Sequence, residues 1–145
     1  MNSLYTIKYE VVIGVPDDEF VNCRRESQVD KMIAKWQEAA KNYYEKTEVY
    51  VSAIVNEGKA IYNKDWGCPD GGERTLTFNC TANTNFIKDL ELYETGIHYI
   101  AGILKKYFNQ STITITKIKS NIQYITDEDN DSIECLIEDI EGGYK

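Results

Sequence analysis

The sequence predicts an α+β fold: a two-layer sandwich in which a mainly antiparallel sheet has two helices packed on one face. Three observations point there. Residues 4–13 (LYTIKYEVVI) alternate apolar and polar with a period of two, as a half-buried strand does. Residues 84–108 space Phe86, Leu90, Tyr93, Ile97, Ile100, Leu104 and Tyr107 by fours and threes, a helical stripe with one face to bury. The whole order reads strand, helix, three strands, helix, strand and tail, and a split βαβ arrangement is the nearest topology.

Each element has its own warrant. The first strand puts Tyr5, Ile7, Tyr9, Val11 and Ile13 on one face, and Gly14, Pro16, Asp17 and Asp18 stop it. A polar connection carrying Arg24 and Arg25 leads to a helix over 27–46. Ser27 or Glu26 starts it, and Asp30 sits in the first turn, where the helix dipole favours negative charge. Val29, Met32, Ile33, Trp36, Ala40 and Tyr43 form its apolar stripe, which assigns Trp36 to the core. Residues 48–56 alternate again. Glu57-Gly58 signals a turn, 59–63 form the hairpin partner, and 74–80 form the next strand with Leu76, Phe78 and Cys80 inward.

In the 84–108 helix, Gly96 and Gly102 each cost about 1 kcal/mol relative to Ala, which predicts close approach of another backbone. Residues 111–125 form a long strand whose apolar phase flips: Ile113 and Ile115 share one parity, Ile118, Ile122 and Tyr124 the other. A β-bulge near Thr116-Lys117 would turn both halves toward one core. In the tail, Ile133, Leu136, Ile137 and Ile140 suit a short amphipathic helix, although Ile133, Cys135 and Ile137 also suit a strand. Gly142 to Lys145 are expected to fray.

The length of 145 residues fits a single domain over 1–145, with an acidic C-terminal extension from residue 126. Sixteen basic residues against 24 acidic ones give a net charge of −8. That balance argues against nucleic acid, which requires a basic surface, and against an anionic membrane surface. No apolar run reaches the roughly 18–20 residues of a spanning helix. The N-terminal sequence has no secretory pattern, so the expected location is cytoplasmic. Cys23, Cys68, Cys80 and Cys135 contain no Cys-x-x-Cys pair, so free buried thiols are expected rather than a zinc site. The single histidine, His98, removes any mechanism needing two, and a place on a helix surface is expected for it. Asp127, Asp129, Asp131 and Glu138 match calcium-loop spacing. Ser132 at the glycine position and a preceding strand favour a solvated acidic turn instead.

Two segments offer chemistry. Trp66-Gly67-Cys68-Pro69-Asp70-Gly71-Gly72-Glu73 lies between strands. Its glycines let N–H groups approach an anion, Trp66 offers a flat face for a base, and Arg74 can fork onto a phosphate. A plain hairpin loop turning at Pro69-Asp70-Gly71 explains the same residues. It is neither a Walker loop nor a dinucleotide fingerprint. The second segment, Asn79 to Phe86, joins a strand end to a helix start, a place that favours anions. Asn83 and Asn85 can hydrogen-bond a base or sugar edge. Capping by Asn83 or Thr84 is the plainer role.

On residues 66–73, on Thr81-Ala82-Asn83 with Phe86, and on Asn109-Gln110-Ser111-Thr112-Ile113-Thr114-Ile115, the chain resembles the phage anti-Thoeris signal-sequestering sponge proteins. The resemblance spans residues 47–125. It implies a binding protein, not an enzyme, that holds a cyclic ADP-ribose isomer without cleaving it and so blocks Thoeris immunity. It also implies a homodimer or larger homo-oligomer in the bacterial host cytoplasm, with no cofactor, metal or catalytic residue. Within the matching segments the expected ligand-binding residues are Trp66, Arg74, Asn83 and Phe86. Two other readings remain open. One is an acidic inhibitor module docking on a basic protein surface. The other is a small nucleotide-processing enzyme using Glu73, Glu94 or His98 as acid–base group.

Overall fold

A computed structural model describes residues 3–142. The alternating segment forms β1 (Leu4–Gly14), and its inward residues Tyr9, Val11 and Ile13 are buried. A short hairpin follows, β2 (Glu19–Val21) and β3 (Arg24–Glu26), turning at Asn22-Cys23 with both residues at positive φ. Then come α1 (Gln28–Thr47), β4 (Ile54–Ala60), β5 (Glu73–Thr81), α2 (Leu90–Tyr107), β6 (Thr114–Ile122) and α3 (Asn130–Gly142). The main sheet has the order β4-β5-β1-β6, and every neighbouring pair is antiparallel. The two long helices pack on one face of it, which is the α+β two-layer arrangement the sequence predicts.

The layers join where large apolar groups alternate inward. Trp36 of α1 stacks on Phe78 of β5 at 4.2 Å and donates its indole N–H to the Val51 carbonyl. This satisfies the one polar group of a buried aromatic. Gly96 of α2 meets α1 directly. A Cβ there would lie 2.6 Å from Tyr43 Cε2. Gly102, by contrast, faces open space, and no close approach explains it. Burial pushes the Cys80 thiol up to about 12. Cys68 is also buried, but Cys23 and Cys135 are exposed, which corrects the expectation that the thiols lie inside. His98 is exposed on α2.

Several boundaries differ from the sequence expectation, each for a local reason. β4 runs straight through Glu57-Gly58, with Gly58 paired to Thr75. The reversal comes later, at residues 61–72, where Gly67, Gly71 and Gly72 supply left-handed φ angles. α2 begins at Leu90, six residues late, because the Asp89 carboxylate accepts from the Leu92 N–H at 3.0 Å and caps it there. β6 has no bulge. It pairs with β1 in unbroken register from Leu4↔Ile122 to Val12↔Thr114. Ile118 and Ile122 therefore lie on the sheet's open face. Lys117, on the helix side of this edge strand, reaches the rim and pairs with Glu94 at 3.3 Å.

The acidic turn at 127–129 is a short 3-10 helix in which the Asp129 carboxylate accepts from the Thr126 N–H and hydroxyl. Asp127, Asp131 and Glu138 do not join Asp129 in a shared cluster. Among the described residues no group of three His, Cys, Asp or Glu side chains is placed to hold a metal ion. No helix among them is long and apolar enough to cross a membrane. Residues 143–145, expected to fray, lie outside the described part.

Candidate functional site

Loop 61–72 closes the β4–β5 hairpin and is folded by its own groups. The Tyr62 N–H points at Cys68 Sγ (3.5 Å), and the Gly72 N–H donates to the Pro69 carbonyl (3.0 Å). Gly72 packs so tightly that a Cβ would meet the Ala60 carbonyl at 3.0 Å. Ala60 pairs with Glu73 across the hairpin, so Tyr62, two residues on, is carried toward the same carboxylate. Its hydroxyl donates to Glu73 Oε2 at 3.1 Å. That hydrogen bond, more than burial, holds the Tyr62 hydroxyl above its usual pKa, so it stays protonated.

Two other elements converge on the same carboxylate. Gly14 ends β1 beside it, and a Cβ there would lie 2.7 Å from Glu73 Oε1 and 3.1 Å from Gln110 Oε1. Gln110 is fixed just past α2 by its N–H, which donates to the Lys105 carbonyl at 2.9 Å. Glycine at 14 thus leaves the space that Glu73 and Gln110 occupy.

The nearby cations are engaged elsewhere. Lys64 pairs with Asp70 at 2.6 Å, and Arg74 faces Asp18 and Glu57 at 3.8 and 3.9 Å. Among the described residues Glu73 forms no ion pair. Beside it the loop forms an open hollow of about 190 Å³ lined by Ile61, Tyr62, Cys68, Pro69 and Gly71, together with the Lys64–Asp70 pair. A half-buried carboxylate that forms no ion pair, held by a tyrosine hydroxyl beside a partly apolar hollow, suits an organic cation.

The residues expected from the sequence fall elsewhere. Trp66 is on the outside of the loop, 77% exposed, and Phe86 is 83% exposed. Asn83 Oδ1 accepts from the Asn85 N–H, a turn-forming role. Arg74 is adjacent to Glu73 in sequence but lines a separate pocket with Asp18, Arg25 and Glu57. Trp66 lies in the loop before β5 and Arg74 at the start of that strand, whereas Asn83 and Phe86 lie past its end. Seven strand residues, 75–81, at about 3.4 Å each separate Arg74 from Asn83, and Trp66 and Phe86 lie further out at either end. The structure therefore does not bring the four together. Of the acid–base candidates, Glu94 is paired with Lys117 and His98 is on the outer side of α2, leaving Glu73 alone at the site. The sequence alone gives no site role to Tyr62, Gly14 or Gln110, although Gly14 marks the end of β1 and Gln110 lies in the 109–115 segment. Tyr62 had one available signal: it stands, like Glu73, at the flank of a loop that joins two pairing strands.

Of the comparisons with known proteins, the family model is the one that shows a family. The SAM lyase family model matches residues 4–126. Among solved structures, the de novo designed protein Foldit4 is 14% identical, with 82% of this chain and 99% of that chain covered at a TM-score of 0.43. A phage SAM lyase in complex with S-methyl-5′-thioadenosine is 8% identical, with 82% and 90% covered at 0.45. No curated protein matches the chain. The matching family is one of lyases, which are enzymes. This overturns the expectation of a protein that binds its ligand without catalysis, and the resemblance to sponge proteins gives way to it.

Proposed function

The chain belongs to the SAM lyase family, and from that premise we propose that it cleaves S-adenosylmethionine between the sulfonium sulfur and the methionine Cγ, at the site built on Glu73 and Tyr62. The family match over residues 4–126 carries the reading. In this reaction the bonding pair stays with sulfur, which leaves as the neutral thioether S-methyl-5′-thioadenosine. The substrate's own carboxylate closes on Cγ as sulfur departs and forms a four-carbon lactone. One positive charge, on the α-ammonium, is present before and after. Atoms and charge balance without water.

The unpaired carboxylate supports the reading, because the substrate is a cation at two places. Only the sulfonium loses its charge as the bond breaks. A carboxylate against sulfur would hold the ground state more tightly than the transition state. Glu73 therefore works best against the ammonium, whose charge is unchanged. Tyr62, kept protonated, orients Glu73, and Gly14 leaves it room.

The test is to incubate the purified chain with S-adenosylmethionine and separate the products by chromatography. Methylthioadenosine should rise as substrate falls, and Glu73→Gln should raise KM by about tenfold or more with a smaller loss in kcat. A folded protein that leaves the substrate intact would overturn the proposal.

A further inference from the structure

The C-terminal helix α3 lies beyond the residues that match the family. It buries none of its side chains: Leu136, Ile137 and Ile140 are 53%, 46% and 60% exposed. At 100° per residue, Ile133, Leu136, Ile137 and Ile140 fall on one side of the helix, with Glu134 and Glu141 along one edge and Asp139 along the other. Eight acidic residues and no Lys or Arg lie between Asp127 and Glu141, whereas residues 1–125 hold 15 basic against 16 acidic ones. Nearly all the chain's excess negative charge therefore sits around one bare apolar stripe.

A surface of the opposite character lies between α1 and α2. Lys35, Ile103, Lys106 and Tyr107 line an open hollow of about 230 Å³. Ile103 and Tyr107 are its apolar floor, and Tyr107 is 63% exposed. Lys35 caps the Tyr107 ring at 4.2 Å from its centroid and also pairs with Glu38 at 3.3 Å, whereas Lys106 forms no ion pair among the described residues. The floor is apolar and Lys106 leaves positive charge without an acidic partner on its rim, the complement of a stripe with acidic edges.

We propose that α3 of one copy docks its Ile133–Ile140 stripe into the Lys35–Lys106 groove of a second copy, so that the acidic helix links copies of this chain. The connectivity favours a second copy over the same one. The groove is at the end of α2, near where β6 begins, and α3 starts at Asn130, with seven residues between it and the other end of β6, a strand of nine residues or roughly 30 Å. Among the described residues α3 packs mainly against the short turn before it, Asp127–Asp129.

The test is sedimentation of the full chain and two charge-reversed forms. One carries Lys35→Glu and Lys106→Glu, the other Glu134→Lys and Asp139→Lys, each checked for folding by circular dichroism. Each alone should weaken self-association by about tenfold or more, as should raising salt. Mixing the two forms should restore it, because each then meets its complement. Leu136→Asp in α3, where no core contact is lost, should weaken association as well. A full chain that is monomeric at about 200 μM, far above a specific micromolar affinity, would overturn the proposal. So would variants that associate like the parent, or a mixture that does not recover.

Discussion

At position 14 a methyl group has nowhere to go, because the Glu73 and Gln110 side-chain oxygens already fill the space. Gly14→Ala should push the Glu73 carboxylate off its place while leaving the core untouched. The expected result is a fall of about tenfold in kcat/KM with an unfolding midpoint changed by only a few degrees, read by steady-state kinetics and a thermal melt. Tyr62→Phe, which frees Glu73 without moving it, should cost less activity than Glu73→Gln in the same assay. The carboxylate at 73 was visible in the sequence as one acid among many. The strands on either side of loop 61–72 were visible too. The register that sets Ala60 opposite Glu73 was not, and it alone brings Tyr62 onto the acid. Trp66 and Phe86 drew attention because aromatics in loops suit ligands, yet an exposed ring has no second wall to form a pocket.

Packing between elements makes two further claims. Gly96 is where α2 closes on Tyr43 and Val51, with a Cβ 2.6 Å from a Tyr43 ring carbon. Gly96→Ala should destabilise the fold by about 1–3 kcal/mol, measured by denaturant unfolding, despite the better helix propensity of alanine. Asp18 ties together the start of α1, the β2–β3 hairpin and β5. It accepts from the Gln28 N–H at 3.0 Å, binds Arg25, and faces Arg74. The Gln28 N–H first, then the Arg25 hydrogen bond, hold its carboxyl below the usual 3.8. Because the folded value is the lower one, Asp18 adds stability above pH 3.8, and that contribution is lost as pH falls through the lowered value. Asp18→Asn should flatten the acid limb of the stability profile in that window and change its neutral part by a constant amount. Element type was legible from periodicity, as for β1 and the α2 stripe. Boundaries were not, because a single side chain decides them. Asp89 rather than Asn83 caps α2, and the register of β6 sends Ile118 outward with no bulge to correct it.

Over the molecule as a whole, the excess acidic charge and the family-matching fold occupy different parts of the chain. Residues 4–126 match the family and contain every group at the Glu73 site, while α3 adds no buried residue. A chain ending at residue 126 should therefore keep its activity and its dilute-solution unfolding midpoint. It should lose any dependence of that midpoint on protein concentration, which reports association. The net charge was plain in the sequence, but its segregation around an unpartnered stripe emerged only with the helix in place. The central claim is that this chain splits S-adenosylmethionine without water. One measurement addresses it most directly: mass spectrometry of early reaction products formed in ¹⁸O-labelled water. Cleavage by the substrate's own carboxylate gives S-methyl-5′-thioadenosine together with a four-carbon lactone that carries no ¹⁸O. Label in the four-carbon product from the first turnover would mean hydrolysis, and unchanged substrate would mean no lyase; either result would contradict the account.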